Sequence, residues 1–234
     1  MTIELANKKI EAIVLDFDGT FYSANKELEA KIWGEARKKL ITKILEFEGI
    51  TSFTPEYFNQ RLEEFIQEAQ LNGWRVSFKK FGGTDEGFDE VISSVSVAEF
   101  LDFDQQLVDL LTELMSHVPV YIFTGSHRKR CWDALDVLVG DLINRFENSI
   151  LAADDMEFGR KPVLAAYQEM VDRFALNPET TIFVDDQLVE VNSAAELGIM
   201  TFLIHETTNG EEAIGSHILI NSLKKLLDHL VIKE

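Results

Sequence analysis

Acidic side chains stand at two places where an apolar run ends. In the stretch VLDFDGTF a single residue separates Asp16 from Asp18, and Asp185 and Asp186 follow the run TIFV. In an extended segment alternate side chains point to the same side, so Asp16 and Asp18 can face one reacting atom if the chain turns at Gly19. Two carboxylates held in this way could act as a nucleophile and as a proton donor.

Close carboxylates are costly to bury, because each raises the proton affinity of the other. A hard divalent cation with oxygen ligands removes this cost, and Mg²⁺ commonly takes carboxylates together with a substrate phosphate. We therefore predict a Mg²⁺ site at Asp16, Asp18, Asp185 and Asp186.

The same residues predict phosphoryl transfer. Asp16 can attack phosphorus and form an aspartyl-phosphate, while Asp18 protonates the leaving alkoxide and later deprotonates the incoming water. Thr124, after the run VPVYIF, and nearby backbone N–H groups can hold the phosphoryl oxygens. Lys161 can offset the negative charge of nucleophile and phosphate.

Short apolar runs alternate with helix-like segments and must bring these residues together. We predict strands in Lys9–Phe17, Val118–Gly125, Ser149–Asp154, Thr180–Asp186 and Ile199–His205. Helices are predicted in Phe103–His117, with Asp104 as N-cap, in Lys161–Leu176 and in Val189–Gly198. This alternation is typical of an α/β fold with a doubly wound parallel sheet, in which ligands bind beyond the carboxyl ends of the strands.

Residues 22–100 interrupt the alternation. Helical patterns fill Asn25–Gly49 and Thr54–Gly73, the second with Thr54 as N-cap and Pro55 at its first position. We interpret residues 22–100 as an inserted helical cap domain, and residues 1–21 and 101–234 as the core domain.

The composition excludes some classes of partner. The formal net charge is −19 in 234 residues, which disfavours nucleic-acid polymers and anionic membrane surfaces. The single cysteine, Cys131, excludes an intramolecular disulfide, and no apolar run reaches the length of a membrane span. We expect a cytoplasmic protein, either a monomer or a homodimer, whose partner is a small phosphorylated metabolite.

Four segments, in order, resemble the motifs of the haloacid dehalogenase-like (HAD) hydrolase superfamily: DFDGT, IFTGS, RKP and VDDQLVEVNSAAELGI. The resemblance implies a Rossmann-like core, Mg²⁺ and phosphoryl transfer through Asp16. It makes Asp18 the acid and base, with a backbone carbonyl on the metal. It also implies that Asp186 binds the metal directly and that Asp185 acts through a water.

A narrower resemblance concerns the segment Phe78–Phe88, which is similar to the pyrimidine 5′-nucleotidase-like branch. It implies a nucleoside 5′-monophosphate as substrate, and we predict substrate contacts at Lys79, Phe81, Gly125 and Ser126. The alternatives are a sugar-phosphate phosphatase or phosphomutase of the same superfamily, and a non-enzymatic interaction module that keeps the fold. The basic cluster His127–Arg130 fits either a solvated first helical turn or a contact with substrate phosphate.

Overall fold

The computed structural model describes residues 2–23, 26–205 and 213–233. The chain divides into two compact units. The first, the core unit, consists of Met1–Ala24 and Leu101–Glu234, and the second, the helical unit, of Asn25–Phe100.

The described strands belong to two sheets. They are β1 Thr2–Leu5, β2 Lys8–Ile10, β3 Ala12–Leu15, β4 Val120–Phe123, β5 Ile150–Leu151, β6 Thr181–Asp185, β7 Met200–Ile204, β8 Ala213–Ile214, β9 His217–Ile220 and β10 Val231–Lys233. The larger sheet has the order β5-β4-β3-β6-β7-β9-β8 and is parallel except for the β8–β9 pair. The smaller sheet, β10-β1-β2, is antiparallel. The predicted parallel α/β core is therefore confirmed.

The helices fall into two groups. Those of the helical unit are α1 Lys26–Phe47, α2 Pro55–Asn72, α3 Trp74–Lys80 and α4 Asp85–Ser93; those of the core unit are α5 Gln105–His117, α6 Arg128–Val139, α7 Leu164–Arg173 and α8 Leu188–Glu196. The predicted caps are present, since Thr54 accepts a hydrogen bond from the backbone N–H of Tyr57 and Asp104 from that of Leu107. Asn25, where the predicted first helix begins, lies outside the described residues.

The prediction of one continuous strand over Lys9–Phe17 was wrong. The run Lys9–Phe17 is divided at Glu11, which is exposed and donates its backbone N–H to Thr180 O. The part before Glu11 belongs to the small sheet and the part after it to the large one. A continuous apolar run cannot indicate such a change of sheet, because both halves have strand propensity.

The central strands are buried on both faces. All four residues of β3 are buried, and Val14 packs in one cluster with Phe123 of β4, Phe183 of β6, Tyr167 of α7 and Val191 of α8. Burial of each large apolar side chain contributes roughly 1.5–3 kcal/mol. This packing fixes the strands whose carboxyl ends carry the acidic residues.

The helical unit has its own core. Leu40, Ile41 and Ile44 of α1 lie in one cluster with Phe65 of α2 and Phe78 of α3. Helices α3 and α4 lie where the sequence predicted no element, and Gly82 and Gly83 form the turn between them.

Candidate active site

The register of the sheet brings Asp16 and Asp185 to the same edge. Strands β3 and β6 are parallel neighbours, and Leu15 is paired with Val184. Asp16 follows directly, with its backbone N–H bonded to Val184 O at 2.9 Å, and Asp185 is the last residue of β6. Two acidic residues distant in sequence are therefore adjacent because the strands that carry them are paired.

Three carboxylates form the acidic cluster of the site. Asp16, Asp185 and Asp186 each offer an oxygen, and these oxygens all lie within 4.8 Å of one another. Asp16 and Asp185 are buried. Burial raises the pKa of the Asp16 and Asp185 carboxyls, although Lys161 acts in the opposite direction. The pKa of Asp186 is raised by burial and then by the charge of Asp16.

Lys161 is the cation of this cluster. Its Nζ lies 2.7 Å from Asp16 Oδ1 and 2.7 Å from Asp185 Oδ2. Burial alone would lower the pKa of Lys161, but the charges of the neighbouring carboxylates outweigh it and raise the pKa. The ammonium group therefore stays charged beside Asp16, and its predicted role of offsetting the charge of a nucleophile stays a prediction.

Lys161 does not open a helix, contrary to the sequence prediction. Helix α7 begins at Leu164, and Lys161 lies in the preceding loop. The buried carboxylate of Glu169 on α7 accepts the backbone N–H groups of Glu157 and Phe158, which anchors this loop. Further along, Ser193 of α8 donates its hydroxyl to Pro162 O at 2.9 Å.

A fourth carboxylate near Lys161 was not singled out from the sequence. Glu190 Oε2 on α8 lies 3.8 Å from Lys161 Nζ, and the hydroxyl of Tyr167 donates to the same oxygen. The signal was present, since Glu190 lies four residues after Asp186, in the first turn of α8, and is therefore close to the same edge.

Asp18 has a different environment from Asp16. Its carboxylate lies outside the acidic cluster and accepts three hydrogen bonds from side chains. The hydroxyl of Tyr22 and the guanidinium of Arg130, at 3.1 Å, donate to Oδ1, and the hydroxyl of Ser126 donates to Oδ2. Sequence reasoning missed Tyr22, and it left the role of the basic cluster that contains Arg130 open.

The loop after β4 carries the predicted phosphate-binding residues. Thr124 is buried, and its Oγ1 accepts the backbone N–H of Ser126 at 3.0 Å, which leaves its hydroxyl proton free to donate. Gly125 is exposed, with no atom within 4 Å of the place a Cβ would take. A phosphoryl group could approach the backbone closely here, and the roles predicted for Thr124, Gly125 and Ser126 stay predictions.

Gly19 makes room for the acidic cluster. Its φ is +86°, a region that favours glycine, and a Cβ at this position would lie against the carboxylate of Asp186. The turn predicted at Gly19, directly after Asp18, is therefore present, and the missing side chain leaves room for the carboxylate of Asp186.

The residues of the acidic cluster fit a hard divalent cation. All three side chains offer carboxylate oxygens, the ligands that Mg²⁺ prefers. Asp185 has both oxygens engaged, one by Lys161 Nζ and the other by the backbone N–H of Gln187. Asp16 and Asp186 are therefore better placed than Asp185 to bind a metal directly.

Lys79 and Phe81, the predicted substrate contacts of the insert, belong to the helical unit. Lys79 Nζ lies 2.7 Å from Asp85 Oδ2. Phe81 follows α3, and its ring packs against that of Phe65 and under the guanidinium of Arg61. These interactions lie within the helical unit, and the substrate contacts predicted for Lys79 and Phe81 stay predictions.

Other observations concern residues away from the site. Cys131 is buried, and burial raises the pKa of its thiol, which disfavours the reactive thiolate. Among the helices that the structure describes, none combines the length and the hydropathy needed to span a bilayer.

A comparison with protein families finds one match over most of the chain. The model described as haloacid dehalogenase-like hydrolase matches residues 10–198. No curated protein matches the sequence.

Solved structures of similar fold cover nearly the whole chain. CbbY from Rhodobacter sphaeroides, in complex with phosphate, is 17% identical, with 93% of this chain and 96% of that chain covered and a TM-score of 0.57. A candidate β-phosphoglucomutase from Thermotoga maritima is 15% identical, with 94% and 97% covered and a TM-score of 0.58. The UTR4 protein of Saccharomyces cerevisiae is 12% identical, with 93% and 100% covered and a TM-score of 0.59. These similarities show a shared fold.

Proposed function

Since the chain belongs to the haloacid dehalogenase-like hydrolase family, we propose that it is a Mg²⁺-dependent phosphatase that hydrolyses a small phosphomonoester through an aspartyl-phosphate. The observation that carries the proposal is the arrangement around Asp16. Its carboxylate lies beside Asp185, Asp186 and the ammonium of Lys161. A carboxylate held in this way is paired on one oxygen and available for attack on the other.

Asp16 is the nucleophile of the proposed reaction. Lys161 binds its Oδ1, so the lone pairs of Oδ2 can attack phosphorus. The ammonium stays in place as negative charge develops on the phosphoryl oxygens, and Thr124 with the backbone of its loop offers donors to those oxygens. The phosphoryl group passes to Asp16 as the bond from phosphorus to the alcohol oxygen breaks.

Asp18 moves the protons. In its protonated form it donates to the leaving alkoxide, and the resulting carboxylate takes a proton from the water that attacks the aspartyl-phosphate. This second attack releases inorganic phosphate and regenerates Asp16. Presence of an acid at position 18 favours phosphoester chemistry over dehalogenation, because members of the family that act as dehalogenases lack it.

Mg²⁺ would be held by Asp16 and Asp186, with Asp185 bound through a water and the backbone carbonyl of Asp18 as a further ligand. When bound, it would neutralise the phosphate and the carboxylates that surround it. Burial raises the pKa of the Asp16 and Asp186 carboxyls, and a bound cation would offset the cost of burying their charges, which supports this assignment.

The substrate class rests on the sequence. The segment Phe78–Phe88 supports a nucleoside 5′-monophosphate, and a sugar phosphate is the alternative, either hydrolysed or returned as an isomer by a phosphomutase. A non-enzymatic module is the remaining possibility, but the described residues keep each acid, hydroxyl and ammonium group that the chemistry needs.

The test is a phosphate-release screen with purified protein across nucleoside 5′-monophosphates, sugar phosphates and p-nitrophenyl phosphate. We expect release with Mg²⁺ and none after chelation with EDTA, with recovery when Mg²⁺ is added back. Formation of an isomeric phosphate without release would indicate the phosphomutase. Full turnover in EDTA would contradict the metal assignment, and no reaction with any ester would contradict the proposed function.

A further inference from the structure

Three side chains hold the carboxylate of Asp18. Tyr22, Ser126 and Arg130 donate to it, and together they engage both of its oxygens. An unconstrained aspartate side chain would have several rotamers available. Here the three donors select one orientation of the carboxylate.

Arg130 has few other interactions to explain its position. It lies in the first turn of α6, where a cation opposes the helix dipole, and its side chain is only 17% exposed. Its Nε is buried with no hydrogen-bond partner among the described residues. The ion pair with Asp18 is thus the interaction that compensates the burial of its charge.

Tyr22 is fixed from two sides. Its ring packs edge-on against Phe17 with 5.7 Å between centroids, and its hydroxyl donates to Asp18 Oδ1. Arg130 donates to the same oxygen at 3.1 Å, so Tyr22 and Arg130 share one acceptor. The arrangement links residues 18, 22 and 130 into one network.

We propose that Arg130 and Tyr22 are positioning residues that hold Asp18 in the orientation from which it transfers protons to and from the reacting oxygens. This inference rests on the proposed function of the site. Neither residue touches the reacting atoms in the proposed role, and each acts through the orientation of Asp18. Displacement of a reacting group by about 1 Å can lower a rate by about 10²-fold, so loss of the network should be visible in turnover.

A comparison of esters with different leaving groups distinguishes the positioning of Asp18 from a general structural role of Arg130 and Tyr22. An alkoxide needs a proton when it leaves, whereas p-nitrophenolate leaves without one. The value of kcat/KM reports only the steps up to release of the alcohol, so the later attack of water does not enter it. A defect in Asp18 should therefore lower kcat/KM for an alkyl ester much more than for p-nitrophenyl phosphate.

The experiment compares Arg130→Gln with wild type on p-nitrophenyl phosphate and on the alkyl phosphomonoester that wild type hydrolyses fastest in the screen. We expect kcat/KM to fall by about 10²-fold on the alkyl ester, and to change little on p-nitrophenyl phosphate. Tyr22→Phe should show the same pattern with a smaller loss, and Arg130→Lys should recover part of the activity on the alkyl ester.

Two controls complete the test. Lys129→Gln removes the same charge from the same turn of α6, but Lys129 is 85% exposed and pairs with Asp133, so both activities should stay at the wild-type level. In the background of Asp18→Asn, Arg130→Gln should cause no further loss on the alkyl ester, because the group it positions is already missing.

The outcomes distinguish this inference from the proposed function. Equal losses of Arg130→Gln on both esters, or an additional loss in the Asp18→Asn background, would overturn the positioning role while leaving the phosphatase assignment intact. Wild-type activity of Arg130→Gln on the alkyl ester would also overturn it. Failure of wild type to hydrolyse any ester would overturn the proposed function and, with it, this inference.

Discussion

The two units use charged side chains in contrasting ways. In the core unit, Lys161 is 3% exposed and lies between Asp16 and Asp185, which are also buried. In the helical unit, Lys79 is 52% exposed and pairs with the half-exposed Asp85. Exposed pairs contribute little to stability, whereas removing one partner of a buried pair leaves an uncompensated charge. Similar ion pairs therefore have different consequences, and burial rather than distance sets the difference.

The largest expected effect is on Asp16. Asp16→Asn keeps the shape of the side chain but removes the attacking oxygen, so phosphate release should fall to background. Asp185 still pairs with Lys161 in this variant, and burial raises the pKa of the Asp16 carboxyl, so the lost charge was costly to bury. Thermal unfolding should therefore occur at the wild-type temperature or above. Normal turnover by a correctly folded variant would contradict the nucleophile assignment.

Lys161→Met should affect both activity and stability. Asp16, Asp185 and Glu190 would then face one another without the ammonium group, and we expect a loss of about 3–5 kcal/mol in the free energy of unfolding, measured in urea. The rate should fall by about 10²–10³-fold, as for loss of a donor that stabilises transition-state charge. An unchanged unfolding midpoint would show that Lys161 does not stabilise the fold by compensating these buried carboxylates.

Gly19→Ala tests the approach of Asp186. The added Cβ would displace the carboxylate of Asp186, so the Mg²⁺ concentration needed for half-maximal activity should rise by about 10-fold or more. Gly34→Ala is the control, because Gly34 lies inside α1 with no atom within 4 Å of the new Cβ, and it should leave the Mg²⁺ dependence unchanged. An unaltered Mg²⁺ dependence in Gly19→Ala would remove Asp186 from the metal site.

The smallest effect is expected in the helical unit. Lys79→Gln removes the exposed pair with Asp85, and the unfolding temperature should not change measurably. If Lys79 contacts substrate as predicted, the ranking of esters in the phosphate-release screen should nevertheless change. Lys80→Gln is the matched control, because Lys80 pairs with Glu68 and was not assigned to substrate. An identical ranking in both variants would remove Lys79 from substrate recognition.

Local patterns predicted the elements that the central sheet needs. Short apolar runs predicted β4, β6 and β7, and capping residues predicted α2 and α5. The smaller sheet was missed because its strands are short, and β1 pairs with β10 from the other end of the sequence. Local patterns carry no information on such a distant pairing.

The acidic residues of the candidate site could be predicted from the sequence, but the hydrogen-bond partners of Asp18 could not. Asp16, Asp185 and Lys161 could be placed together because parallel strands expose their carboxyl ends at one edge. The partners of Asp18 could not, since Arg130 follows it by 112 residues and no motif spacing relates the two. Its contact depends on the direction in which α6 leaves β4, which is decided by packing.

The insertion of the helical unit between β3 and β4 affects how the protein is made. During translation β3 emerges from the ribosome before the whole helical unit, and its partner β4 follows only after that unit. At about 5–20 residues per second, this interval lasts roughly 5–20 seconds. The four apolar residues of β3 stay unpaired during that time, while the helices of the insert, whose contacts are local, can already fold. The nascent chain therefore exposes an entirely apolar strand before the sheet that buries it exists.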